Sequence, residues 1–427
     1  MIRIKMFSFL LLFVCAAVTY CDEDVKYVAV LFRHGDRTPV SPYPTDPWKN
    51  ESLWPVKFGQ LTNVGKQQHY ELGKWIRERY AHLLSNDFDP TEIYIRSTDV
   101  DRTLMSAQAN LAGLYPPSGT TVWNTDLMWQ PIPVHTVPEV EDELLAMKKS
   151  CPAYDKAYEK FIKSAAFTKR LYGYQPLMNY LSSYTGMNVK SYYDIDDIYS
   201  TLYIEELYNF TLPNWTHSVY PDKMREPACY SFTTQTGTPL LARLKVGPLL
   251  KHIHTHLVKA MEDMEGGKHR QVQLYSAHDL NIGNMLNALG MYDGNCPCYT
   301  SAIFFELLAG EDNSTSTHYV RISYRNFTGI EEPAVLHIPY CGTECPVDRF
   351  TMLYQNLLNV DWENECNRIN LQPYFDAVII SVALTVCVTH FVRKYRIARR
   401  NYMNNLAYST LATPVASKVD TVKIIKA

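Results

Sequence analysis

Three strand-like stretches in this chain break into polar turns with ionisable groups and resume as helices. The first, Tyr27 to Phe32, is followed by Arg33-His34-Gly35-Asp36-Arg37-Thr38-Pro39, where Gly35 and Pro39 turn the chain. The second leads from Tyr94-Ile95 through Arg96-Ser97-Thr98-Asp99 into a helix expected to start near Asp99, with Arg102 in its first turn. The third alternates from Gln271 to Tyr275 and runs into Ser276-Ala277-His278-Asp279, after which Leu280, Met285, Leu286 and Leu289 suggest a helix. Such alternation predicts an α/β fold: a mostly parallel central sheet flanked by helices, with ligand groups beyond the carboxyl ends of its strands.

The turns carry a consistent chemistry. Arg33 and Arg37 flank His34, and paired guanidinium groups favour a multiply charged anion such as phosphate. Like charges lower the pKa of a histidine between them, so His34 stays neutral and nucleophilic even in mild acid. Arg102, beside a helix N-terminus, adds to the anion preference of the free N–H groups there. His278 supplies a further donor and Asp279 a carboxyl acid. Taken singly, each has an ordinary reading: a turn with solvated charges, an aspartate capping a helix, a surface arginine. Together they make a nucleophile, its anion clamp and a proton donor.

These motifs carry a family resemblance. Arg33 to Pro39 has the R-H-G-x-R-x-P form of the histidine acid phosphatases, and Ser97 to Thr103 and Ser276 to Asp279 look like that family's second and third motifs. Trp129 to Pro138 is similar to a segment of the animal lysosomal and prostatic branch, and the resemblance runs from about Tyr27 to Cys366. It implies a phosphoglycerate mutase-like fold and hydrolysis of phosphate monoesters at acidic pH. It assigns attack on phosphorus to His34, binding of the phosphoryl oxygens to Arg33, Arg37, Arg102 and His278, and protonation of the leaving oxygen to Asp279. It implies no metal or other cofactor, and a homodimer. Alternatives sharing the fold are a mutase, an inositol polyphosphate or lysophospholipid phosphatase, or a non-catalytic phospholigand-binding ectodomain.

The chain has 427 residues with net charge −3, which offers no basic field for nucleic acid. Arg3 and Lys5 precede the apolar run Phe7 to Val18, as in a signal peptide spanning about 1–20; cleavage fits after Ala17, Thr19 or Cys21. Secretion makes the cysteines disulfide candidates. Beyond Cys21 the ectodomain holds Cys151, Cys229, Cys296, Cys298, Cys341, Cys345 and Cys366, an odd set, so one is free or pairs with Cys21 or another chain. The family resemblance implies Cys151–Cys366, Cys229–Cys298 and Cys341–Cys345, leaving Cys296 over. Asn50, Asn209, Asn214, Asn313 and Asn326 stand in glycosylation triplets. His252 and His256 would share a helix face, but no H-E-x-x-H glutamate accompanies them, and a solvated face is the better reading.

Between about 126 and 238 the text is rich in tyrosine and helical in period, over Ile162 to Leu181 and Ile195 to Tyr208; this reads as a helical cap inserted into the α/β domain, which spans 21–373. Thr62 to Tyr80 reads as a core helix capped by Thr62, and Ala302 to Leu308 and Tyr319 to Tyr324 as closing strands. Tyr374 to Val392 has the length of a transmembrane helix, and Arg393, Lys394, Arg396, Arg399 and Arg400 follow it, which places the tail 393–427 in the cytoplasm. Tyr408-Ser409-Thr410-Leu411 resembles the signals that clathrin adaptors read. A type I membrane protein of lysosomes, endosomes or the cell surface is the expectation.

Overall fold

The computed structural model describes residues 24–263, 270–310, 317–327, 329, 332–367 and 372–411, without the side chains of 263, 372–378 and 407–411. The signal segment 1–20, Cys21 and Asn313 lie outside the described residues, as do the side chains of Tyr408 and Leu411. Residues up to Asn367 form one compact unit and those from Arg368 a second.

The first unit is built on a seven-stranded sheet of β1 (Val25–Arg33), β2 (Ile93–Ser97), β3 (Val272–Ala277), β4 (Ala302–Ala309), β5 (His318–Arg325), β6 (Ala334–Val335) and β7 (Glu344–Pro346). The order is β2-β3-β1-β4-β5-β6, with β7 also on β5. β3 is parallel to β1 (Val28↔Val272 to Arg33↔Ala277) and to β2 (Ile93↔Val272 to Ser97↔Ser276). β4 pairs antiparallel with β1, and β5 antiparallel with β4, β6 and β7. The sheet is therefore mixed, not mostly parallel. Too few residues separate β4 from β5 for the crossover that parallel neighbours need.

β1 is buried along nearly its whole length, as expected of a central strand with helices on both faces. On one face Tyr27, Ala29 and Leu31 pack with Leu249 and Ile253 of the long helix Pro239–Asp263. On the other, Val28, Val30 and Phe32 meet α1 (Asn63–Arg79) and α2 (Asp101–Leu114) through Leu72, Ile76 and Leu111. Thr62 caps α1, its hydroxyl accepting from Gly65 N at 3.2 Å. α1 and α2 touch backbone to backbone: a Cβ at Gly73 would lie 1.9 Å from Asn110 O, and one at Gly113 2.0 Å from Tyr70 O.

The cap comprises α3 (Pro152–Ile162), α4 (Ala165–Tyr172), α5 (Gln175–Thr185), α6 (Tyr192–Leu207) and α7 (Asp222–Thr234). Its own core gathers Met178, Leu181, Ile195, Ile198 and Met224, and closes on Tyr43 from the loop after β1. The cap helices start later than the expected boundary at 126. Before them, His135 bridges to Arg96 of β2, Ile132 and Val134 pack on the central core, and Asp142 pairs with Arg96 at 2.6 Å, so this stretch lies along the α/β core. The helix expected over 162–181 is two, α4 and α5, broken at Gly173.

Two disulfides join the cysteines that the family resemblance implied, Cys151–Cys366 and Cys341–Cys345. The third is a correction: Cys229 on α7 pairs with Cys296, and Cys298 is free. Cys298 N–H donates to Asn326 Oδ1 at 2.7 Å, which anchors that residue elsewhere, with its side chain on a cavity wall.

The second unit holds the helix Gln372–Leu411. Among the described residues no helix is long and apolar enough to cross a membrane. The span expected at 374–392 begins with side chains outside the description; within its remainder Ile379, Ile380, Val382, Leu384, Val386 and Val388 are exposed.

Candidate active site

Hydrogen bonds from His34 N to Ala277 O (3.0 Å) and from Thr98 N to Ser276 O (3.1 Å) extend the parallel ladder past the strand ends, so the three polar turns open side by side. Glycine explains how tightly the first turn sits. A Cβ at Gly35 would lie 2.4 Å from Gly65 O, and one at Gly65 2.3 Å from Asp36 O, so this turn rests directly on the start of α1. Gly35 N–H donates to Ser106 Oγ of α2 at 3.2 Å, and Asp36 Oδ1 accepts from Thr62 Oγ1 (2.5 Å) and Tyr208 OH (2.9 Å). His34 is thereby fixed by both flanking helices and the cap.

His34 is 1% exposed. Its Nδ1 lies 2.8 Å from Gly35 O, and a carbonyl only accepts, so Nδ1 carries the proton and Nε2 keeps its lone pair. Burial first, then Arg33, Arg102 and Arg37, hold the imidazole well below the usual histidine range. Arg33 Nη2 stands 2.8 Å from Asp279 Oδ2, Nη1 donates to Pro297 O (2.5 Å), and the guanidinium lies 4.4 Å over the Tyr299 ring. Arg37 donates to Thr38 O at 3.1 Å. Arg102 Nη2 donates to His278 Nδ1 at 3.3 Å, which leaves His278 Nε2 to donate to Thr98 Oγ1 at 3.0 Å. Burial, and next the charge of Arg37, lower the Arg102 guanidinium to about 10.

Asp279 opens α9 (Asp279–Ala288), the helix that follows the long α8 (Pro239–Asp263) and β3. Burial raises the Asp279 carboxyl, but Arg33 and then Arg37 outweigh it and hold the group below the usual carboxylate range. The Nε–H groups of Arg33, Arg37 and Arg102 are buried and find no acceptor. Buried donors of this kind are costly without a partner. Three guanidinium groups, each with an unanswered Nε–H, around a neutral imidazole fit a phosphoryl dianion, with an aspartate beside it to move a proton.

All six residues expected at the site meet here, around two adjoining cavities. One, of about 400 Å³, is lined by His34, Arg102 and His278; the other, of about 560 Å³, by Arg33; both share Arg37 and Asp279. Sequence reasoning missed Tyr299, Lys148 and Lys245, which also line these cavities, and Asp36, which steadies the turn. Asp36 lies within the first motif and was open to notice; the lysines carry no local signal. Among the glycosylation triplets, Asn50, Asn209 and Asn214 are exposed. Asn326 is half-buried, its amide donating to Cys296 O at 3.3 Å.

This fold and this site define a class, an α/β scaffold that holds a neutral histidine inside an arginine cage. Residues 24–325 match the model of the histidine phosphatase superfamily (branch 2), and the chain belongs to that family. It is 40% identical to human prostatic acid phosphatase over 353 residues, 82% of this chain and 89% of that one. It is likewise 40% identical to the lysosomal acid phosphatase of Xenopus laevis over 349 residues, 81% of this chain and 79% of that protein. Among solved structures, the phytase from Citrobacter braakii superposes with a TM-score of 0.58 at 18% identity, covering 80% of this chain and 99% of the phytase, a likeness of fold.

Proposed function

We propose that this chain is an acid phosphatase that hydrolyses phosphate monoesters through a phosphohistidine on His34. The carrying observation is the set of buried, unanswered Nε–H groups of Arg33, Arg37 and Arg102 around the neutral imidazole. A phosphoryl group seated there accepts from the three arginines. Once it has drawn Arg102 off His278 Nδ1, that imidazole carries its proton on Nδ1, Nε2 accepts from Thr98, and His278 donates to the phosphoryl group as well. These contacts stabilise its charge as the transition state develops. His34 Nε2 attacks phosphorus in line with the leaving oxygen, and Asp279 gives that oxygen its proton. Water then attacks the phosphohistidine, with Asp279 taking the proton back. Substrate phosphate competes with Asp279 for Arg33 and raises the carboxyl from its depressed free value, so the proton is available in mild acid. The names of the relatives support the same reaction. Mixing the purified protein with phosphate-labelled substrate and quenching without acid should trap label on His34. Retention of most turnover in folded His34→Ala would remove the assignment.

We also read the chain as a glycosylated type I membrane protein of the endolysosomal system or cell surface, carrying sugar at Asn50, Asn209 and Asn214. The apolar run Tyr374 to Val392 with its basic flank supports the anchor, and Tyr408 with Leu411 supports clathrin-adaptor sorting. The family resemblance supports a homodimer. Release of soluble enzyme by truncation after Cys366, and a shift to the cell surface in Tyr408→Ala, are the checks.

A further inference from the structure

The cavity that holds His34, Arg102 and His278 is larger than the group they bind. A phosphoryl group is four oxygens, each about the size of a water of ~30 Å³, and fills less than half of its volume of about 400 Å³. The space past the cage is lined by two lysines, Lys245 of α8 and Lys148 from the loop before α3. Lys245 is largely enclosed: its ammonium donates to Met147 O at 3.0 Å and lies 5.2 Å from the centroid of the Tyr154 ring. It makes no ion pair among the described residues. Burial, opposed by Asp155 and helped by Lys148, lowers it to about 8. A buried ammonium without a paired counter-charge has lost solvation that an anion beside it would return.

Lys148 stands at the rim, its side chain 59% exposed and paired with Glu139 at 2.6 Å. Burial, then Arg102, and more weakly Lys148 lower the His278 imidazole, so the rim cation is felt inside the cage. The cage thus continues toward solvent through two further cations, with Glu139 as the carboxylate that competes for the outer one. The cavity under α6 is different. Beyond Arg33 and Arg37 it carries the carboxyl groups of Asp196, Asp197 and Asp293 against one cation, Arg225. An anion that leaves the cage is therefore favoured on the lysine side.

Resting on the phosphatase reading above, we propose that Lys245 and Lys148 form a second oxyanion subsite beside the cage, which holds one inorganic phosphate while another occupies the cage. No bond is made or broken there. A phosphate freed from His34 steps to Lys245 and then to the Lys148 rim, where it displaces Glu139. At high product concentration the second phosphate shuts in the first. Product inhibition then contains a term in the square of the phosphate concentration as well as the ordinary linear one.

The probe is inorganic phosphate, and the protein is the full-length enzyme at acidic pH. Equilibrium dialysis with labelled phosphate into the millimolar range should find two phosphates per chain. Phosphate should also inhibit ester hydrolysis with a parabolic slope replot. Lys245→Met combined with Lys148→Met keeps both aliphatic stems; it should bind one phosphate and give a linear replot. Glu139→Gln should act in the opposite direction and tighten the second phosphate by about threefold, because it frees Lys148 and removes a negative charge from the cavity. One phosphate per chain, or a linear replot, in the wild type overturns the proposal and leaves the cage reading standing. A wild type that binds no phosphate takes the phosphatase reading down as well. Two phosphates in the folded double variant overturn the proposal, since the lysines are then not the subsite. Loss of both phosphates overturns it too, since the lysines then only support the cage. Where the double variant does not fold, an unchanged second affinity in Glu139→Gln is the overturning result.

Discussion

Replacing Glu205 by glutamine should flatten one component of the pH dependence of stability. Glu205 of α6 is 0% exposed and Asp46, on the loop after β1, 1%. Asp46 Oδ2 and both Glu205 oxygens find no donor elsewhere. Two ionised carboxylates cannot share such a site, so one proton is held between them. Burial first, and then the charge of Asp46, raise Glu205 far above its ordinary value. The sign follows: a carboxyl raised in the folded state stabilises fully below its unfolded pKa, about 4.3, and this contribution is lost as pH climbs toward the folded value. One extra proton corresponds to about 1.36 kcal/mol per pH unit, hence about 4 kcal/mol between pH 5 and pH 8 while the pair keeps its proton. Glu205→Gln copies the protonated carboxyl, since its amide can donate to Asp46. Urea denaturation of both proteins at pH 5, 6.5 and 8 reads the difference, and titration of the buried histidines cancels between them. Parallel loss of stability in the two proteins across that range would refute the shared proton.

Asp279→Asn should lower kcat by about 10²–10⁴, with the larger losses on poor leaving groups, and should remove the basic limb of the kcat–pH profile; an unaltered limb assigns the proton elsewhere. Peptide mapping under non-reducing conditions should recover Cys229 joined to Cys296, with Cys298 alkylated only as a monomeric thiol; a Cys229–Cys298 peptide would restore the family-like pairing. Gly65→Ala should destabilise the fold by about 1–3 kcal/mol in thermal unfolding, because its Cβ would meet the Asp36 backbone, which cannot yield as the neighbouring Leu61 side chain can.

The catalytic groups were legible because each sits where an apolar run stops, and a buried strand leaves few other reasons for Arg33, His34 or His278 at such a point. The sheet's second half was harder: β4 and β5 read as strands in either direction, and only the short chain between them decides for antiparallel pairing. Cys296 and Cys298 flank one proline, so spacing could not choose which reaches Cys229. Asp196 and Asp197 look like any acidic turn of a surface helix until the cavity shows which way they face. Asp46 and Glu205 carry no mutual signal at all, since their pairing arises from the docking of α6 on a distant loop.

The place of β1 in the middle of the sheet also sets a timetable for synthesis. β1 leaves the ribosome first, yet its partners on either side begin only at Val272 and Ala302. At a usual elongation rate, the intervening chain keeps this apolar strand waiting for on the order of tens of seconds. During that interval His34 is present but has neither Asp279 nor His278 beside it. The Cys151–Cys366 disulfide, with a sequence separation of 215, closes later still. A chain interrupted before β3 is thus an unpaired hydrophobic strand rather than a weakened catalyst, and material for chaperones and proteases. The catalytic set is complete only once Asp279 has joined it.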